Sequence, residues 1–282
     1  MNKDLTIIIV TFNSSEVIER CLSRLNAEKY DVVVVDNTSS DNTTQIVSEK
    51  FPQVKLIHSG GNLGYGRANN IGLRQAKTEF ALILNPDAFI LEESTEIALQ
   101  VLKNNPQIAL ASPEIFHTAD AEATIIPKSD DYRVTNFIIG GVLFMRLEVF
   151  RKIGFFDEDF FMFAEDNELS DRSIKNGYQN VILNNAKAFH SGAGSSKKSL
   201  RTTYRRFWHL GWSKSKYKQN KKGRFHTIRA TARLSLIYFC EGIFYFLVGN
   251  LNKSVSKFAF SSGCFSFLIG LKAFKKDGTP RG

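Results

Sequence analysis

An apolar run that stops on a proline narrows the architectures open to this chain. Phe80-Ala-Leu-Ile-Leu84 has the length and composition of a strand buried on both faces. Asn85-Pro86-Asp87 ends it, because Pro86 has a locked φ and no N–H to give a ladder. A carboxylate is thereby delivered on a stiff turn at the carboxyl end of a central strand. In open α/β sheets that edge is where ligands bind. Taken alone, Asn-Pro-Asp is equally a plain turn former.

The chain before this run alternates in the way such a sheet needs. Leu5–Val10, Val32–Val35 and Val54–Ile57 read as buried strands. A helix with Val17, Ile18, Cys21, Leu22 and Leu25 on its apolar face separates the first two, with Ser14 or Ser15 as its N-cap. A second helix runs through Val47 after the polar turn Asn37–Thr43. This β-α-β-α-β order predicts a parallel sheet with right-handed crossovers. The first strand-to-helix turn, Thr11-Phe-Asn-Ser-Ser-Glu16, lacks the glycines of a dinucleotide fingerprint, and no Gly-rich loop ending in Lys-Ser/Thr occurs. Any phosphates must be held by another device. Asp36 ends the second strand, where it can accept hydrogen bonds from a base or ribose or simply cap a turn.

Gly60-Gly-Asn-Leu-Gly-Tyr-Gly-Arg-Ala-Asn-Asn70 leads into a helix that reaches about Ala76. Asn is a poor helix former, so the stretch reads either as Arg67, Asn69 or Asn70 facing the mouth of the sheet or as a solvated first turn. A helix over Glu92–Asn104 and a strand over Ile108–Ala111 follow. A polar loop is expected between His117 and Thr135, then a strand over Asn136–Met145 with two glycines that suggest a bulge or close ligand approach. A short helix spans Arg146–Ile153. Aromatic residues from Phe155 lead to Glu165-Asp166, which open a helix ending near Gly177. Carboxylates in a first turn are favoured by the helix dipole whatever else they do. Val181–Leu183 and Ala186–Phe189 read as strands, and His190 follows on a Gly/Ser loop, a position typical of a ligand-binding histidine.

Charge divides the chain where the alternation ends. The net charge is +9, yet residues 1–196 carry −8 and residues 197–282 carry +17. Twelve basic residues and no acid lie between Lys197 and Arg229, among six aromatic ones. Such a stretch suits single-stranded nucleic acid or an anionic lipid surface. Two apolar segments, Leu234–Leu251 and Phe258–Phe274, favour lipid, since a nucleic-acid arm has no use for them. Each falls short of the roughly 20 residues that cross a bilayer, and Glu241 interrupts the first, so they are expected to lie in or dip into one leaflet. Packing onto the rest of the chain or onto a partner subunit is the competing reading. Three widely spaced cysteines fit reduced core thiols in a cytosolic setting, and the first residues lack the layout of a signal peptide.

In order, Thr11-Phe-Asn13, Val35-Asp-Asn-Thr-Ser-Ser-Asp41, Asn62-Leu-Gly-Tyr-Gly-Arg-Ala-Asn-Asn70, Leu84-Asn-Pro-Asp87, Phe163-Ala-Glu-Asp166 and His190 resemble the motifs of family 2 glycosyltransferases. The likeness covers about residues 4–195 and is strongest to the branch containing bacterial rhamnosyltransferases. It implies a GT-A fold, a Rossmann-like and mostly parallel α/β sheet flanked by helices. The catalytic domain would span 1–196, with a basic, apolar and helical extension over 197–282. It implies an inverting, metal-dependent hexosyltransferase, with rhamnose from dTDP-rhamnose as the first candidate donor and another UDP- or dTDP-sugar as the second. A non-catalytic membrane-surface module is the other class.

Carried over by position, Thr11, Asn13 and Asp36 would hold the nucleoside. Arg67 would line the donor pocket, and Asn85 would stand where many members have the first acid of Asp-x-Asp. Asp87 and His190 would bind Mg²⁺ or Mn²⁺. Asp166 would be the general base, with Glu165 as its substitute. Partners implied are a nucleotide-sugar donor, a glycan or lipid-linked acceptor and an anionic membrane surface, with no nucleic acid. The C-terminal region also offers a surface for self-association. Surface polysaccharide assembly at the inner face of the cell membrane is the setting this fits.

Overall fold

The apolar runs become the middle of one sheet. In the computed structural model, which describes residues 3–117, 130–192 and 199–282, the order begins β1 (Leu5–Thr11), α1 (Ile18–Leu22), β2 (Asp31–Asp36), α2 (Thr43–Lys50), β3 (Lys55–His58) and α3 (Tyr65–Gln75). It continues with β4 (Phe80–Leu84), β5 (Ala88–Ile90), α4 (Glu92–Asn104), β6 (Ile108–Phe116), β7 (Tyr132–Thr135), β8 (Val142–Arg146) and α5 (Leu147–Ile153). Then come α6 (Glu165–Lys175), β9 (Gln179–His190), α7 (Leu200–Lys222), α8 (Arg224–Leu247) and α9 (Leu251–Leu268).

The chain divides into two units, and the first takes in Met1–Asn62, Arg67–Phe156 and Leu169–Ser195. Its sheet runs β3-β2-β1-β4-β8-β6-β9-β5, with β7 also on β9. β1 to β4 are mutually parallel, as the alternation demands, whereas β8 is antiparallel to β4 and β6, and β5 and β7 are antiparallel to β9. The continuous valines of β2 have a direct cause. Val32 and Val34 join the core that holds Ile18, Cys21 and Val47, while Val33 and Val35 join a second core with Ala68 of α3. Both faces are covered, so neither can be polar.

Several local expectations change. The strand expected over Asn136–Met145 begins only at Val142, because the chain before it turns to let Asn85 N–H donate to the Gly141 carbonyl at 2.9 Å. The two short strands expected after Tyr178 are one, β9, and Asn184 and Asn185 continue it. Asn184 is satisfied there, donating to the Asp130 carbonyl at 2.9 Å and accepting from Arg133 at 2.8 Å. Residues 118–129 of the expected polar loop lie outside the described residues, but its end forms β7. Residues 193–198, which end the Gly/Ser loop and include the basic pair Lys197-Lys198, also lie outside them.

The second unit takes in Leu63–Gly66, Asp157–Glu168 and Ser196–Gly282, so it draws on the middle of the chain as well as the end. Its core joins Phe160, Phe161 and Ala164 to Trp208 and Trp212 of α7, Ala259 of α9, and Phe274. Ser199 opens α7 with a reciprocal cap to Thr202. α7 and α9 cross at glycines: a Cβ on Gly211 would lie 2.2 Å from the Phe260 carbonyl oxygen, and one on Gly263 2.0 Å from that of Trp208. α9 ends at Leu268, short of the apolar segment's end, and the chain beyond it turns so that Ala273 and Phe274 are buried. Of the three cysteines expected in the core, Cys21 and Cys264 are buried, but Cys240 is exposed on α8.

Candidate active site

Four parallel strands point their carboxyl ends at one edge of the first unit's sheet, where Thr11 and Asp36 end β1 and β2 and Asn85 follows β4. Thr11 closes β1 and donates through Oγ1 to Asp36 Oδ1 at 3.1 Å. Asp36 is buried and also accepts from the Ser39 backbone N–H at 3.1 Å. Asn13 does not join that pair. Its N–H donates to Ser39 Oγ at 2.9 Å, and its Oδ1 accepts from Ser40 N–H at 2.8 Å. Asn13 (φ 53°) and Thr38 (φ 70°) hold left-handed backbone, at a cost of about 1–3 kcal/mol each. The stitching is completed by Asp41. Burial works against its charge, but hydrogen bonds from Thr43 and Ser15 hold its carboxyl down at about 2. A strained, fully bonded pair of loops is a stiff rim for a ligand, and the serine and asparagine run after Asp36 was its only trace in the sequence.

At the end of β4 the turn does what Pro86 requires, and Asp87, Asn85 and His190 converge. His190 Nε2 lies 3.2 Å from Asp87 Oδ1 and 3.1 Å from Asn85 Nδ2. Both His190 and Asp87 are largely buried. Ser191, which the sequence motifs did not single out, donates its Oγ to Asp87 Oδ2 at 3.1 Å. A Cβ on Gly141 would stand 2.8 Å from His190 Nδ1, so the glycine before β8 makes room for the imidazole. Nε2 cannot donate to Asp87 and accept from Asn85 at once. With the Asn85 amide turned over, a carboxylate oxygen and an amide oxygen stand 3.2 and 3.1 Å from the imidazole Nε2. That donor set fits a hard divalent cation with positions left for other oxygens. Among the described residues no cluster of three or more His, Cys, Asp or Glu side chains forms a fuller cage. Cys21 adjoins this point, and burial, with the nearby Asp87 charge, pushes its thiol up to about 12, so it is an inert packing group.

Arg67 opens the first unit's part of α3 and is half-buried. Asn70, one of three candidates in that stretch, has a structural task. Its amide donates to the Phe156 carbonyl at 2.9 Å and accepts from the Phe156 N–H at 3.0 Å. Gly64 is required by close approach: a Cβ there would sit 2.1 Å from the Phe161 carbonyl oxygen, which the Tyr65 N–H reaches at 2.9 Å.

Asp166 and Glu165 belong to the second unit. Phe163 (φ 69°) and Ala164 (φ 65°) are both left-handed just before them, a run of two non-glycine residues that nothing in the sequence announces. Asp166 is half-buried and accepts from the Asn167 N–H at 2.8 Å. Glu165 is buried, and its Oε2 has no hydrogen-bond partner among the described residues. Burial first, and the adjacent Asp166 second, push its carboxyl from an ordinary 4.5 to about 8. A folded value above the unfolded one means that the folded state holds the proton more tightly. Stability from this group is therefore complete below about pH 4.5 and is lost as pH rises through 8. Glu165→Gln is expected to flatten that decline, read as the change in Tm between pH 5 and 9 against the parent; parallel curves would show that Glu165 is already ionised.

The family model described as Glycosyl transferase family 2 matches residues 6–162. The chain is 25% identical over 241 residues to an N-acetylglucosaminyl-diphospho-decaprenol L-rhamnosyltransferase of Mycobacterium tuberculosis, covering 70% of this chain and 78% of that one. It is 25% identical over 266 residues to rhamnosyltransferase WbbL of Escherichia coli, covering 82% and 98%. Among solved structures, the mannosyltransferase PcManGT from Pyrobaculum calidifontis, in complex with GDP-Man and Mn²⁺, superposes with a TM-score of 0.60 at 17% identity over 96% of this chain and 88% of that one. The last likeness shows the fold, that of the GT-A enzymes.

Proposed function

The chain belongs to glycosyl transferase family 2, and from that premise we propose that it is an inverting hexosyltransferase that moves rhamnose from dTDP-rhamnose to a glycan or lipid-linked acceptor. The observation that carries the reading is the meeting of Asp87, His190 and Asn85 at the carboxyl edge of β4. The mycobacterial and Escherichia coli relatives named as rhamnosyltransferases support the sugar, and the diphospho-decaprenol in the first name supports a lipid-linked acceptor.

The nucleoside sits on the rim formed by Thr11, Asn13 and Asp36, with Asp36 accepting from base or ribose. Arg67 lines the donor pocket from the start of α3. Asp87 and His190 hold a divalent cation, Mg²⁺ or Mn²⁺, with Asn85 as a neutral third neighbour. When bound, that ion offsets the charge that develops on the departing diphosphate. Asp166 takes the proton from the acceptor hydroxyl as its oxygen attacks the anomeric carbon from the face opposite the leaving group. One positioned carboxylate suffices for a single displacement. Residues 1–196 supply the donor side of this scheme. Its setting is polysaccharide assembly on the cytoplasmic side of the cell membrane.

A thermal-shift screen of nucleotide sugars with and without Mn²⁺ tests the proposal, because a ligand that binds only the folded state raises Tm. dTDP-rhamnose with Mn²⁺ is expected to give the largest rise. A larger rise with another UDP- or dTDP-sugar would replace the donor, and no rise with any of them would overturn the reading.

A further inference from the structure

α8 is built inside out. Thr227, Thr231 and Gly242 are its buried residues, and Ser235 on the same side is half-buried. The opposite face presents Leu236, Cys240, Ile243, Phe244 and Leu247, spaced three and four apart along one side, with Phe239 at its border, its ring edge-on to Phe258 of α9. Leu236, Phe244 and Leu247 are 64, 58 and 76% exposed. A helix that buries a core against water has the reverse arrangement. The contact with α9 combines hydroxyl groups and Gly242 with two ring pairs, Tyr238–Phe260 stacked at 4.0 Å and Phe239–Phe258 edge-on at 5.5 Å. The hydroxyl groups at the seam are of the kind that hold helices together in lipid. Ser235 Oγ donates to the Ser261 carbonyl at 3.0 Å, Ser261 Oγ to that of Ser235 at 2.7 Å, and Ser254 Oγ to that of Gly242 at 2.9 Å.

The charges around the stripe say what covers it. Glu241 is the only acid on α8, and Lys257 neutralises it at 2.6 Å. Arg229 and Arg233 stand exposed where the apolar stripe begins, and Lys272, Lys275 and Lys276 follow α9. A second copy of the chain would bring the same excess of positive charge to the interface, whereas an anionic bilayer would complement it. α9 covers one side of α8 and itself packs on the basic helix α7, while Leu251 and Phe265 of α9 stay exposed. We propose that α8 lies in the plane of an anionic membrane, with the Leu236–Leu247 stripe in the acyl boundary and Arg229 and Arg233 at the headgroups. α9 is then the layer that carries it, most of its own length being taken up by α7 and α8. Interfacial helices of this kind bury their apolar face about 5–10 Å deep.

Cys240 gives a direct test, because it is the one exposed cysteine of the three. The full chain labelled there with an environment-sensitive dye is mixed with vesicles of equal parts phosphatidylcholine and phosphatidylglycerol. Emission is expected to shift to the blue and to be quenched by lipid-borne nitroxide. Leu236→Glu with Phe244→Glu, both at exposed positions that leave folding intact, is expected to weaken vesicle partition by about a hundred-fold or more. Arg229→Gln with Arg233→Gln is expected to weaken it roughly thirty-fold for these vesicles and hardly at all for pure phosphatidylcholine. An unshifted dye with the protein in the supernatant at low salt overturns the proposal. So does a blue shift that needs only a higher protein concentration, which would assign the stripe to a second copy.

Discussion

Asp166→Asn is expected to bind its nucleotide sugar as the parent does and to transfer the sugar about 10²–10⁴-fold more slowly. The substitution keeps an oxygen where Asp166 Oδ1 accepts from the Asn167 N–H at 2.8 Å, so the start of α6 stays formed. It removes the one thing a base needs, a lone pair with affinity for a proton. Glu165, the substitute base, is poorly suited to take over. In the parent, burial first and the Asp166 charge second push its carboxyl to about 8, and the variant keeps the first of these causes, so Glu165 still holds a proton more tightly than an ordinary carboxylate does. On the proposed scheme, environment separates the two neighbours in role, as it does for paired carboxylates in many active sites. Donor affinity by calorimetry and kcat by product release decide the matter. A fall in donor affinity matching the fall in rate would move Asp166 to the binding machinery.

The second large effect is expected at Asp87. Asp87→Ala removes a carboxylate held on one side by His190 at 3.2 Å and on the other by Ser191 at 3.1 Å. Donor affinity in Mn²⁺ is expected to fall by about 100-fold or more, and the residual affinity to be indifferent to chelator. His190→Ala is expected to cost less, because it removes a neutral donor whereas Asp87 supplies the charge a hard divalent cation prefers. The informative comparison is the increment in nucleotide-sugar affinity that Mn²⁺ adds to each protein. Equal donor affinity with and without chelator in the parent would remove the metal from the scheme.

The middle of the sheet was legible because burial on both faces leaves no choice of residue: Val32–Val35 reads as a strand since odd and even positions each meet a core. Asn85-Pro86-Asp87 was legible for the opposite reason, since proline permits so little. What stayed hidden depends on partners distant in the chain. Asn184 and Asn185 read as a break between strands, and they continue β9 because Asp130 and Arg133 satisfy Asn184 across the sheet. Asn70 carried the signal of a functional asparagine and serves to pin Phe156. The left-handed pair Phe163-Ala164 has no composition to betray it, because neither residue favours that backbone. The apolar C-terminal segments were visible as apolar, but the first was expected to be too short to cross a bilayer, whereas α8 has 24 residues and is long and apolar enough by composition. Only packing separates it, with its polar side turned inward, from α9, which is covered along most of its length.

The second unit is assembled from three stretches, and this bears on how such chains can be recombined. Phe160 and Phe161, from the middle of the chain, are buried by Trp208, Trp212 and Phe274 from its end. A chimera joined at residue 196 would receive foreign helices and keep a foreign core, so neither half would find its complement. The unit is not a cassette that gene fusion can exchange in one event. Its interior must drift in concert at sites about fifty or more residues apart, which ties the C-terminal helices to the lineage of the residues flanking Asp166.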